Sequence, residues 1–139
     1  MRKSLVGQIQ RPGSRPIRTN IVGDDNTPIR YSVRHLNVDS SSGTLTLDLG
    51  QANSFACTLT ENVTTIDING PMATDEYWEF HLELTQDSTA RTVTWAAKFE
   101  FPGGTDHTMS TGSGDVDAIH GYSTDGGTTW KCTFVNAFA

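Results

Sequence analysis

Residues 76–87, EYWEFHLELTQD, decide the fold class of this chain. Trp78, Phe80, Leu82 and Leu84 alternate with Glu79, His81 and Glu83. Successive side chains of a β-strand point to opposite faces, so this spacing gives one apolar face and one charged face. A helix would scatter the same residues around its circumference. The stretch predicts a strand with its apolar row in a core.

The same period recurs on both sides. GTLTLDLG sets Leu45, Leu47 and Leu49 against Thr44, Thr46 and Asp48, and NSFACTLTEN carries Phe55, Cys57 and Leu59. Ile66 and Ile68 precede the stop at Gly70-Pro71. ARTVTWA offers Val93 and Trp95, and Phe99 and Phe101 make a short strand before Pro102-Gly103-Gly104. Val116, Ala118, His120 and Tyr122 alternate next, and Trp130, Cys132 and Phe134 end the series on an inward row. About eight short strands separated by turn signals predict an all-β fold, a jelly-roll-like antiparallel β-sandwich. No segment keeps a helical period over three turns.

With 139 residues the chain is long enough for one ordinary domain. No stretch approaches the roughly 18 apolar residues of a membrane span, and the start lacks the apolar run of a signal peptide. The net charge of −6 hides a polarity. Residues 1–36 hold seven basic and two acidic residues, net +5; residues 37–139 hold three basic and fourteen acidic, net −11. Pro12, Pro16 and Pro28 disfavour helix in the basic segment. The sequence therefore divides into an extended basic N-terminal arm, 1–36, and a β-sandwich domain, 37–139. A basic arm on an acidic body predicts protein docking, by Arg–carboxylate bonds and backbone pairing. Nucleic acid is disfavoured, because the acidic body repels a polyanion and the arm has no aromatic residue before Tyr31.

Motifs for chemistry are weak. Glu79, His81 and Glu83 could present three metal ligands on one strand face, but such rows are usually solvated, and no metal or cofactor is expected. Asp115-Val116-Asp117 is a bare DxD. His35, His107 and His120 have no spacing that recommends them as catalytic bases, and the alternation around His120 predicts an interior or edge histidine. Cys57 and Cys132 alternate with apolar neighbours and read as two buried thiols. Asn62-Val63-Thr64 is a glycosylation sequon, read here as a turn into a strand. No catalytic constellation emerges, and the chain is not expected to be an enzyme.

Ser123-Thr124-Asp125-Gly126-Gly127-Thr128-Thr129-Trp130 fits S-x-D-x-G-x-T-W and resembles the Asp-box of sialidases and other β-proteins. Its physical content is a hairpin: Gly126 and Gly127 supply positive φ, Asp125 bonds turn amides, and Trp130 packs beneath. A sialidase would carry several copies and an arginine cluster. This chain has one copy, and its body holds only Arg91.

Taken together, GTLTLDLGQANSF (43–55), LTENVTTIDI (59–68), FHLELTQDSTARTVTW (80–95), FPGG (101–104) and VDAIHGYSTDGGTTW (116–130) resemble a β-domain of tailed-bacteriophage virion proteins, of the capsid decoration or tail-fibre type. The resemblance covers about residues 43–135. It implies a non-catalytic structural module, often trimeric. Combined with the single-module length and the basic arm, it leads to the expectation of a capsid decoration (cement) protein on the virion surface, assembled in the host cytoplasm. The partner would be the major capsid protein or another virion protein. Arg2, Lys3, Arg11, Arg15 and Arg18 would carry the docking, with Ile9, Ile17 and Ile21 as apolar anchors. A tail, collar or fibre-attachment component is one alternative. A carbohydrate-binding β-sandwich module, using Tyr77 or Tyr122, is the other.

Overall fold

The computed structural model describes residues 33–138. Eight strands follow in chain order: β1 (His35–Asn37), β2 (Thr44–Asp48), β3 (Ser54–Leu59), β4 (Thr65–Asn69), β5 (Trp78–Gln86), β6 (Phe99–Glu100), β7 (Val116–Ser123) and β8 (Trp130–Phe138). A 3-10 turn at Pro102–Gly104 follows β6. The all-β class is as the alternation requires.

Six strands form one sheet in the order β1-β3-β5-β7-β8-β6, and β2 pairs with β4 in a second, two-stranded sheet. Pairing is mixed. β1, β3 and β5 run parallel to one another, β2 runs parallel to β4, and β6 runs parallel to β8. Only β5–β7 and β7–β8 are antiparallel. A wholly antiparallel arrangement was the expectation, and the reason for the difference lies in the path of the chain. From β1 to β5 the chain crosses to the other sheet after each strand and then returns. Every return travels in the original direction, so neighbours within a sheet end up parallel. Thr92–Thr94 begins a third such pass: Val63 N–H donates to Thr92 O at 2.9 Å and Thr94 N–H to Val63 O at 2.9 Å. That bridge is all that forms around Val93, where a full strand was expected.

One core lies between the sheets. Leu45 and Leu47 of β2 and Ile66 of β4 join Phe55, Cys57 and Leu59 of β3 and Phe80, Leu82 and Leu84 of β5. Trp130 is fully buried and meets Phe80 edge-to-face at a centroid distance of 5.3 Å. A second aromatic group, Trp95, Phe99 and Phe101, fills the space beside it. Each fully buried Leu or Phe contributes about 1.5–3 kcal/mol relative to exposure.

Two sequence readings shift. The compact unit begins at Val33, so His35 and Leu36, assigned to the arm from sequence, belong to the sheet through β1. In β7 the buried residues are Asp117, Ile119, Gly121 and Ser123, while Val116, Ala118, His120 and Tyr122 lie on the outer face. The interior or edge placement expected for His120 is therefore corrected: it lies on the outer face of a strand flanked by β5 and β8. Gly121 explains the inversion: a Cβ there would lie 2.4 Å from Phe80 Cε1, so Phe80 packs directly on β7 backbone and fixes which face turns inward.

Candidate functional site

The outer face of the six-stranded sheet gathers most of the chemistry-bearing side chains. Pairing across the strands places His35, Ser54, His81, His120 and Thr133 in one row. The next row runs Glu79, Tyr122, Lys131 and Glu100. The alternation of β5 and β7 that sends Phe80, Leu82 and Ile119 into the core sends these residues outward.

Within these rows the contacts are specific. His35 Nδ1 lies 2.8 Å from Ser54 Oγ. His81 and His120 face each other directly across the antiparallel β5–β7 pair, with ring centroids 4.7 Å apart. Glu79 Oε2 lies 3.7 Å from His120 Nε2. Glu79, His81 and His120 each offer one ligand atom, and these atoms lie within 4.8 Å of one another. The residue that completes the group with Glu79 and His81 is thus His120, from the next strand, and not Glu83. Register between strands is not written in a single strand's alternation, so sequence reading missed His120 here.

Tyr77 stacks on Tyr122 at a centroid distance of 5.5 Å and an interplanar angle of 20°. Tyr77 is 57 % exposed. Desolvation, followed by the Glu79 carboxylate beside it, raises the Tyr77 hydroxyl above its ordinary pKa. Asn53 Nδ2 donates to Glu79 O at 3.0 Å and fixes the backbone at the end of this patch. Lys131 Nζ pairs with Glu100 Oε2 at 3.5 Å, both more than half exposed, a pair that contributes little to stability.

A different titratable group is sealed inside. His107 and Asp117 are both buried, with His107 Nε2 3.0 Å from Asp117 Oδ2 and 3.0 Å from Asn136 Oδ1. Ser110 N–H donates to Asp117 Oδ2 at 2.8 Å and Ala137 N–H to Oδ1 at 2.9 Å. Burial alone would raise the Asp117 carboxyl, but these hydrogen bonds and nearby His107 outweigh it and hold the pKa below the usual range. His107 Nε2 faces two acceptor oxygens, so the hydrogen-bond network places an N–H there, and Nδ1 has no partner among the described residues. The pair ties the 107–110 loop to β7 and β8 and has no access to a substrate. It also separates the DxD residues: Asp117 is committed inside, and Asp115 accepts the Gly112 N–H at 2.8 Å. Asn62 of the sequon accepts the Thr92 N–H at 3.0 Å.

The turn from Ser123 to Trp130 is built from its own side chains. Ser123 Oγ donates to Asp125 Oδ1 at 2.7 Å and accepts the Gly127 N–H at 3.0 Å. Asp125 Oδ1 accepts the Thr129 N–H at 2.9 Å. Gly126 and Gly127 have φ of 70° and 80°, and Trp130 is buried beneath. The Thr129 amide and then the Ser123 hydroxyl lower the Asp125 pKa. Asp125 Oδ1 and Ser123 Oγ are both engaged within the turn, so the motif serves the fold. Cys57 and Cys132 are free and buried; burial raises both thiols, that of Cys132 to about 12.

Arg2, Lys3, Ile9, Arg11, Arg15, Ile17, Arg18 and Ile21 lie outside the described residues. Among the described residues no helix is long and apolar enough to cross a membrane. No protein-family model, curated protein or solved structure matches this chain.

Proposed function

We propose that this chain is a structural protein of a tailed-phage virion, a capsid decoration protein that docks on the shell through its basic N-terminal segment and works as a trimer. The observation that carries the reading is the charge polarity, +5 over residues 1–36 against −11 over residues 37–139. Arginine-rich segments bind carboxylate surfaces bidentately, and repetition around a symmetric shell turns weak single contacts into avidity. The body supports the reading in a second way. The carboxylates of buried Asp117 and half-buried Asp125 are engaged by the fold's own amides, which suits a knob that endures better than a catalyst. A tail, collar or fibre-attachment role would use the same body on an axial partner.

The test is co-sedimentation with shells assembled from the major capsid protein. The full chain should bind and the protein lacking residues 1–22 should not, while its thermal unfolding stays unchanged. Normal decoration by the shortened protein would overturn the docking role of the arginines. Binding to tails but not to shells would select the axial alternative.

A specific observation favours a second reading, carbohydrate binding. The exposed Tyr77 ring, backed by Tyr122 and bordered by Glu76, Glu79 and Asn53, is a flat aromatic surface beside hydrogen-bonding groups. Glycan binding that persists without residues 1–22 and is lost in Tyr77→Ala would support this reading against the first.

A further inference from the structure

We propose that Glu79, His81 and His120 form a binding site for one divalent transition-metal ion of the zinc class on the outer face of the large sheet. The site does not depend on where the protein works, and its test is separate from the docking test above.

The geometry is close to what such an ion requires. Ligand atoms at zinc distances from one tetrahedral ion lie roughly 3.4 Å from each other. His120 Nε2 and Glu79 Oε2 are already 3.7 Å apart, and all three ligand atoms lie within 4.8 Å of one another. Closing that gap needs only side-chain rotation. The His120 and Glu79 side chains are 34 % and 41 % exposed and have room to move. The backbone is fixed where fixity helps: His81 and His120 are direct partners on two central strands, and Glu79 lies two residues along β5 on the same face. Sites on paired strands are held more exactly than sites on loops.

The donor set selects the ion. Two imidazoles and one carboxylate suit zinc, cobalt, nickel or copper, whereas calcium and magnesium need mostly oxygen ligands. The neighbours fit as well. The Tyr77 hydroxyl stands beside the Glu79 carboxylate and can orient it, as outer partners of metal ligands do. Glu83 adds negative charge further along β5. Three protein ligands leave a position for water or for a donor from whatever docks on this face.

The experiment is titration of the full-length, untagged protein with Co²⁺, followed by its visible d–d absorption, then displacement by Zn²⁺. One saturable equivalent per chain is expected. His81→Ala and His120→Ala should each abolish the band, and Glu79→Gln should weaken binding by about tenfold or more. His35→Ala, in the same row but outside the group, should leave it intact. In parallel, histidine side-chain NMR of the wild-type protein should show Zn²⁺ shifting His81 and His120 but not His107, a readout that needs no variant to fold. Absence of saturable binding, a band that survives in both histidine variants, or Zn²⁺ shifts confined to other histidines would each overturn the site.

Discussion

Both carboxylate oxygens of Asp117 are committed inside the protein, to the amides of Ser110 and Ala137, with His107 Nε2 against one of them. Removing the carboxylate leaves the Ser110 and Ala137 amides without their acceptor and His107 Nε2 with Asn136 Oδ1 alone. Asp117→Ala is therefore expected to cost about 3–5 kcal/mol, read as a lower denaturation midpoint at constant slope. The pH dependence has a definite sign. The folded pKa of Asp117 lies below the unfolded one, so its contribution is complete above the usual carboxylate range and is lost as pH falls through the folded value. Stability should hold from neutral pH to about 5 and decline below about 4. Asp117→Asn should flatten that decline. An unchanged decline in the variant would assign acid sensitivity to Asp87 and Asp125, whose pKa values are lowered by Arg91 and by the Thr129 amide respectively. Gly121 is the steric counterpart. A Cβ would lie 2.4 Å from Phe80 Cε1 and 3.1 Å from Cys132 Sγ, so Gly121→Ala should cost about 1–3 kcal/mol by overpacking.

At the scale of elements, the β7–β8 hairpin is the most locally determined part of the body. Asp125→Ala should release the Thr129 amide, visible as faster hydrogen exchange at Thr129 with the core strands still protected. Gly127 has φ of 80°, and a Cβ there meets Met72 Cε at 2.8 Å. Gly127→Ala should thus cost about 1–2 kcal/mol or more, whereas a relaxed turn would show no change in the melting midpoint. The hairpin was legible in the sequence because its chemistry lies within eight consecutive residues. The inward rows of β2, β3 and β5 were legible too, since alternation reports the face of a strand directly. Direction was not. Leu45 and Leu47 alternate identically whether β2 meets β4 parallel or antiparallel. The face of β7 was also ambiguous: its inward row is Asp117, Ile119, Gly121 and Ser123, which reads as polar, and only contact with Phe80 and the 110 loop makes it core. The same ambiguity hid the outer group, because His120 joins Glu79 and His81 only through the β5–β7 register.

For the whole molecule, the exposed apolar residues of β8 are where copies would meet in the proposed trimer. Val135 and Phe138 are 54 % and 53 % exposed on β8. β6 pairs only with Trp130 and Lys131 of that strand, so among the described residues the edge beyond Lys131 carries no further strand on that side. An open edge with apolar side chains is a liability for a free subunit and an asset at an interface. Phe134 is already used within the subunit, edge-on to Phe101 and beside His107, which leaves Val135 and Phe138 to meet a neighbour. If the proposed trimer forms through the body, the full chain and the fragment 33–139 should have the same threefold native mass at near-physiological salt. Val135→Ser combined with Phe138→Ser should then give monomers whose core still melts cooperatively. A trimer in the full chain alone would move assembly to the basic segment, and the arginines would strap subunits together instead of reaching the shell. A monomer in both would leave the β8 edge for another protein, and the decoration reading would survive only as a monomeric knob.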